Sequence, residues 1–155
     1  MTQRLQITVE VPAERRSAFE RMYLDFMTGE SPHTREARAL KTRARDVQER
    51  GVESLQALYE IAQGHSGQCR YVARFLAGLY NGVRFPFDLT DLRALDEAIF
   101  EHCLAVLRMD ARPAKEVHEY FPDVGHKWEA MIARWGLDKE QVTRARELLR
   151  EAGER

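Results

Sequence analysis

Apolar residues recur at every third or fourth position through most of this chain, a spacing that aligns them along one face of an α-helix. Glycine, proline and small polar residues separate these stretches, and such residues end helices. The sequence therefore predicts a mainly α-helical bundle of about seven or eight helices. The helical stretches lie near residues 13 to 28, 35 to 49, 52 to 63, 67 to 81, 90 to 109, 113 to 120, 124 to 135 and 138 to 151.

The N-terminus follows a different pattern, in which Leu5, Ile7 and Val9 alternate with polar residues up to Val11. This period of two predicts one N-terminal β-strand. A single strand leaves its backbone hydrogen-bonding groups unpaired. We therefore expect it to pair with residues 83 to 87, with the same strand of a second copy in a homodimer, or with the edge of another protein.

The length and composition of the chain indicate one globular domain over residues 1 to 155. Its parts would be a strand with two helices up to residue 50, a helical core over 51 to 136, and a C-terminal helix over 137 to 155. No apolar run approaches the roughly 20 residues that span a membrane, and no apolar signal segment opens the chain. We expect a cytoplasmic protein without a membrane partner.

The segment GHSG at residues 64 to 67 begins like the GxSxG turn that exposes a catalytic serine. That turn needs a strand before the serine and a second glycine, but here the preceding pattern is helical and Gln68 stands where the glycine belongs. A corner between two helices accounts for the same residues. Gly64 would end one helix in the left-handed conformation, Ser66 would cap the next, and Gly67 would permit a tight entry.

The residues that bear reactive groups do not form a recognisable catalytic or metal-binding motif. The histidines lack the HxxxH spacing, the two cysteines form no CxxC, and no glycine-rich phosphate loop is present. We therefore expect a non-enzymatic protein without a cofactor or a metal. The exception would be a hydrolase or metal enzyme that tertiary contacts assemble from Ser66, His65, His118 and His126.

The clearest basic stretch of the chain lies in the second predicted helix, with an excess of about three positive charges over residues 35 to 50. Its candidate basic face comprises Arg35, Arg38, Lys41, Arg43 and Arg45. A strand, a proline and two helices follow one another in the order of a ribbon-helix-helix repressor, whose paired strands enter the major groove. A dimeric DNA-binding regulator is therefore the alternative function, although Glu10 on the outward side of the strand would disfavour contact with phosphate.

The middle of the chain resembles an uncharacterised domain family carried on plasmids and integrative mobile elements of proteobacteria. The resemblance covers roughly residues 52 to 136 and rests on the strings GQxRxVAxFL and FDLTDL. The matching residues are Gly64, Gly67, Gln68, Arg70, Val72, Ala73, Phe75, Leu76, Phe87 to Leu92, Asp96, Leu107 and Arg108. It implies an accessory protein of a mobile element and assigns no catalytic residue.

Polar residues of the two strings define a candidate polar contact site, formed by Gln68, Arg70, Asp88, Thr90 and Asp91. All five lie at predicted helix starts, so we expect hydrogen bonds that fix two helix N-termini if the segments meet. Together with the resemblance, these features favour a protein that acts by protein–protein binding. Inhibition of a bacterial host-defence complex is one concrete form.

Overall fold

The computed structural model describes residues 5–123 and 125–153, without the side chains at 140 and 141. The chain divides into two compact units, Met1–Arg45 and Asp46–Arg155, so the prediction of one domain stays a prediction. The described residues form six α-helices and three short 3-10 helices. The α-helices are α1 (Arg16–Thr28), α2 (Pro32–Ile61), α3 (Gly67–Tyr80), α4 (Glu97–Asp110), α5 (His126–Trp135) and α6 (Leu137–Gly153). A mainly α-helical fold is confirmed, but the number of seven or eight helices is wrong.

The predicted N-terminal strand is also wrong, because the described part of the chain contains no β-strand. Residues 5 to 12 have no regular secondary structure. Residues 83 to 87 belong to a turn in which the backbone N–H of Arg84 donates to Asn81 Oδ1 at 2.9 Å. The N–H of Phe85 donates to the Asn81 carbonyl oxygen at 2.8 Å. Backbone donors that the turn uses are not offered to a neighbouring strand.

Helix α2 joins two stretches that the sequence predicts as separate helices, near 35 to 49 and 52 to 63. Gly51, between them, does not end the helix but is buried against α4. A Cβ atom at Gly51 would lie 2.7 Å from Met109 Sδ and closer still to Met109 Cβ. The glycine is therefore required for close packing. Within the described ranges, no helix combines the length and apolar character of a membrane span.

The helix predicted near 90 to 109 is interrupted. A 3-10 helix, Leu89–Ala94, precedes α4, because Leu95 and Asp96 between them adopt extended backbone angles. The stretch near 113 to 120 contains only a 3-10 helix, Val117–Tyr120. The remaining 3-10 helix, Ala13–Arg15, leads into α1. The last two predicted helices correspond to α5 and α6, and residue 124, the first of the predicted helix near 124 to 135, lies outside the described residues.

The hydrophobic core of the unit Asp46–Arg155 is centred on Trp128 of α5, whose side chain is fully buried. Its ring stacks on Tyr80 of α3 with centroids 5.7 Å apart and meets Phe121 edge-on at the same separation. Tyr59 of α2 lies at 6.3 Å. Helices α2, α3 and α5 are therefore held by one aromatic cluster, and aliphatic residues of α4 complete the core.

Replacement of Gly51 by alanine should destabilise the protein. Alanine favours a helix by about 1 kcal/mol over glycine, but overpacking against Met109 costs about 1–3 kcal/mol, so we expect a net loss. Urea titration of the wild-type protein and Gly51→Ala measures this loss as a difference in the free energy of unfolding. The matched control is Gly67→Ala, since no atom lies within 4 Å of a Cβ at Gly67. Equal stability of both variants would contradict the packing role of Gly51.

Candidate functional site

The GHSG segment forms the predicted corner between two helices. Ser66 is the N-cap of α3, and its hydroxyl oxygen accepts a hydrogen bond from the backbone N–H of Cys69 at 3.4 Å. The left-handed conformation predicted for Gly64 is wrong, because glycines with positive φ in the described chain are Gly29, Gly125 and Gly136. A Cβ atom at Gly64 would lie 2.6 Å from Cys69 Sγ, so this glycine makes room for the buried thiol.

The residues of the hypothetical hydrolase lie in separate settings. The Ser66 hydroxyl lies 3.1 Å from Cys69 Sγ, and within the described residues no hydrogen bond joins Ser66 to a histidine. His65 and His126 are exposed, whereas His118 packs edge-on against an aromatic ring of the core. No group of three or more potential metal ligands occurs in the part of the chain that the structure describes. The geometry gives Ser66 a role as a helix cap.

The string at residues 67 to 76 makes polar contacts with the string at 87 to 92 and with Asp96, which follows it. Gln68 Oε1 accepts a hydrogen bond from the backbone N–H of Asp96 at 2.7 Å, and Gln68 Nε2 donates to Asp96 Oδ2 at 2.8 Å. Asp96 is the N-cap residue of α4. Arg74 Nη1 lies 2.9 Å from Asp91 Oδ2 in a partly buried ion pair. These contacts join α3 to the segment that leads into α4. We name the four residues Gln68, Arg74, Asp91 and Asp96 the polar junction.

The five residues of the candidate polar contact site are not gathered around one point. Gln68 and Asp91 belong to the junction with Asp96 and Arg74, and Arg70 is a half-buried residue of α3. Asp88 Oδ1 accepts hydrogen bonds from the Thr90 backbone N–H at 2.9 Å and from the Thr90 hydroxyl at 2.8 Å. These bonds hold the pKa of Asp88 below its ordinary value.

Asp88 also lines a groove, which we name the α6 groove. One wall is the connector Pro86, Phe87, Asp88 and Leu89, and the other is formed by Arg144, Ala145 and Leu148 of α6. The groove encloses about 630 Å³. Leu89 is 71% exposed and Leu148 is 59% exposed, so the walls are apolar but uncovered. Small-molecule sites bury most of their ligand, whereas this groove leaves its walls open to a larger partner.

The connector wall is held in place by packing beneath it. The Phe87 ring meets the Phe75 ring of α3 edge-on, with centroids 5.5 Å apart. A Cβ atom at Gly78 would lie 3.0 Å from Phe87 Cβ, so glycine allows the connector to approach α3. The wall therefore rests on the hydrophobic core of the unit.

Arg84 lies just before the connector and ties this part of the chain to α5 and α6. Its guanidinium donates two hydrogen bonds to Glu129 of α5, at 2.7 and 3.1 Å, and two to Asp138 of α6, at 2.9 and 2.8 Å. The hydrogen bond from Arg84 holds the pKa of Glu129 below its ordinary value. Burial, followed by a hydrogen bond with Glu129, raises the pKa of Tyr80.

Sequence reasoning missed Arg84 because its partners are 45 and 54 residues away. No local spacing pairs one arginine with two particular acids at that distance. The run of alternating residues at 83 to 87 instead suggested a strand. Only the packing of α5 and α6 brings the three charged groups together.

All members of the candidate basic face are exposed on α2, namely Arg35, Arg38, Lys41, Arg43 and Arg45. At helical spacing Arg38, Lys41 and Arg45 share one side, while Arg43 falls on another. Arg35 Nη2 lies 3.5 Å from Glu30 Oε2 in an exposed ion pair. Arg35, three residues before Arg38, lies on the same side, so four of the five residues form one basic side and Arg43 is the outlying member.

These features define a helical protein with a structured polar junction and an open apolar groove. The chain belongs to a Family of unknown function (DUF7673), which matches residues 52–136. The match contains the junction and the connector wall, whereas α1 and α6 lie outside it. The predicted resemblance to an uncharacterised family over these residues is confirmed. Neither the curated proteins nor the solved structures gave a match.

Replacement of Arg84 by methionine should weaken the attachment of the connector. The side chains of Arg84, Glu129 and Asp138 are 36%, 44% and 52% exposed. Solvent screening therefore limits the expected loss in the free energy of unfolding to about 1 kcal/mol. Because folding lowers the pKa of Glu129, its contribution is present above its ordinary value of 4.5 and is lost as pH falls through the lower folded value. In urea titrations, the difference in the free energy of unfolding between the wild-type protein and Arg84→Met should be smaller in acid than at pH 7.

The matched control is Arg16→Met, which removes a single exposed ion pair with Glu20. Such pairs contribute little, so we expect almost no change in the free energy of unfolding. A loss for Arg84→Met that stays constant from neutral to acid pH would show that ion pairing with Glu129 is not its cause.

Proposed function

We propose that the chain is a non-enzymatic binding protein that docks an amphipathic helix of a partner protein in the α6 groove. The observation that supports it is the composition of the groove, whose largely apolar walls include the exposed side chains of Leu89 and Leu148. Helices bind such grooves through side chains at positions i, i+3, i+4 and i+7. The connector wall rests on the core, so this side of the groove needs little reorganisation on binding.

The charges of the groove specify the chemistry of this partner. Arg144 lies on the α6 wall and Asp88 on the connector wall, and the lowered pKa keeps Asp88 ionised at neutral pH. A complementary helix would carry an acidic residue towards Arg144 and a basic residue towards Asp88. Such pairs contribute more to orientation and selectivity than to affinity. The apolar face of the partner would contribute most of the binding energy.

The wider role that we propose is that of an accessory protein of a mobile genetic element. This role is what the resemblance of the strings GQxRxVAxFL and FDLTDL to a family carried on plasmids and integrative elements implies. By occupying a surface of a bacterial host-defence complex, the protein would inhibit it without chemistry of its own. The capping role of Ser66 supports the non-enzymatic part of the proposal, since it accounts for the one segment that resembles a nucleophile turn.

Replacement of Leu148 by glutamate should weaken partner binding, because a charge would enter the apolar wall. Partners captured from bacterial lysate by the intact protein would be purified and titrated calorimetrically. We expect Leu148→Glu to raise Kd about 30-fold, the effect of losing a hot-spot contact. The matched control is Leu149→Glu, since Leu149 is more exposed on the same helix and does not line the groove. Equal effects of both variants on Kd would contradict docking of the partner in the α6 groove.

A second candidate function is DNA binding, which the exposed basic side of α2 favours. The alternative of a ribbon-helix-helix repressor depended on an N-terminal strand, so α2 carries this candidate instead. Any such binding would be driven by phosphate contacts and would weaken steeply with salt.

The DNA candidate predicts a change in salt dependence when the basic side is neutralised. Arg38→Gln with Lys41→Gln should reduce the slope of log affinity against log salt by about 2 on labelled duplex DNA, because two phosphate contacts are lost. Fluorescence anisotropy measures the slope. Arg43→Gln, on another side of α2, should leave it unchanged. Affinity without salt dependence, or no binding at low salt, would dispose of this function.

A further inference from the structure

Helix α1 has an apolar face that is not covered within its own unit. Met22, Tyr23, Phe26 and Met27 are all more than half exposed, and Phe26 is 66% exposed. With half-buried Phe19, they occupy positions i, i+3, i+4, i+7 and i+8 of one helix. This is the pattern of a helix face that packs against another element.

The unit Met1–Arg45 lacks a core that could occupy this face. None of its described hydrophobic residues is buried, whereas the other unit buries about twenty. Leu5, Ile7 and Val9 are more than half exposed as well. A segment of this size gains little stability without burying apolar surface, so the face of α1 is better explained as part of an interface.

We propose that the apolar face of α1 packs against the same face of a second copy of this chain, so that the protein is a homodimer. The interface would be isologous, with each copy contributing Met22, Tyr23, Phe26 and Met27 of α1, together with Leu5, Ile7 and Val9 of the segment before it. Two-fold dimers of this kind are the most common oligomers. The contact needs no strand pairing and uses none of the residues that line the α6 groove.

The exposed apolar area is sufficient for a stable dimer. Nine large hydrophobic side chains among the described residues of the unit are exposed, and seven of them belong to residues 5 to 9 or to the apolar face of α1. Each of the seven offers roughly 100 Å², compared with about 150–250 Å² for a fully covered aromatic residue. Two copies would therefore remove about 1,400 Å² from water, which lies within the usual range of about 1,200–2,000 Å² for specific interfaces. The seven are Leu5, Ile7, Val9, Met22, Tyr23, Phe26 and Met27.

The charges of α1 permit the approach of an identical copy. The helix contains Arg16 and Arg21 together with Glu20 and Asp25, so its side-chain charges cancel. Arg16 Nε already donates a hydrogen bond to Glu20 Oε1 at 2.9 Å. A strongly charged helix would repel its own copy, and a partner of opposite charge would then be favoured. A neutral, apolar helix instead suits association with itself.

The test compares Phe26→Glu with Leu24→Glu in the full chain by sedimentation equilibrium. Leu24 is a matched control, because it is 59% exposed on the same helix but lies away from the apolar face. We expect the wild-type protein and Leu24→Glu to have twice the chain mass of 18.0 kDa at micromolar concentration. We expect Phe26→Glu to raise the dimer dissociation constant about 30-fold or more, the effect of losing a hot spot.

A second substitution and a folding measurement keep the test decisive. Met22→Glu, one turn away on the same face, should dissociate the dimer as Phe26→Glu does, and circular dichroism should show unchanged helix content for all three variants. A monomeric wild-type protein, or equal effects of Phe26→Glu and Leu24→Glu, would overturn the proposal. Leu148→Glu should remain dimeric. The test of dimerisation through α1 is therefore independent of the test of partner docking in the α6 groove.

Discussion

Burial of Trp128 is the interaction around which the unit Asp46–Arg155 is organised. Its side chain is fully excluded from solvent and lies against rings from α2, α3 and the segment before α5. An aromatic side chain buries more apolar surface than any aliphatic one and prefers offset or edge-on partners. Because these contacts place α5 beside α3, they also determine where Arg84 finds Glu129. The connector and the α6 groove depend on that placement.

The polar contacts of this unit divide into those that build the fold and those that remain available. Gln68 with Asp96 and Arg74 with Asp91 join α3 to the segment before α4. Arg84 joins the connector to α5 and α6. Asp88 accepts hydrogen bonds from its near neighbour Thr90 and also lines the α6 groove. The proposed docking site therefore lies where the structure leaves both charge and apolar surface exposed.

Sequence reasoning succeeded where neighbouring residues determine the outcome. Ser66 caps α3 because a hydroxyl before a helix can accept an N–H of its first turn, and this depends on a few residues only. The apolar stripe of α1 was predicted for the same reason. Sequence reasoning failed at Gly51, where the usual preference of glycine to end a helix was outweighed by packing against Met109. It failed again at Leu95 and Asp96, whose extended backbone interrupts a continuous helical pattern.

The N-terminal strand shows the limit of periodicity, since alternation of Leu5, Ile7 and Val9 predicts a face but a strand also needs a partner for its backbone. The sequence by itself determined the helical class, the cap at Ser66 and the apolar face of α1, because these arise from interactions within a few residues. The tertiary structure alone decided the Arg84 contacts, the junction of Gln68 with Asp96, and the α6 groove. Each joins residues distant in the chain, and only the packing of the core brings them within bonding distance.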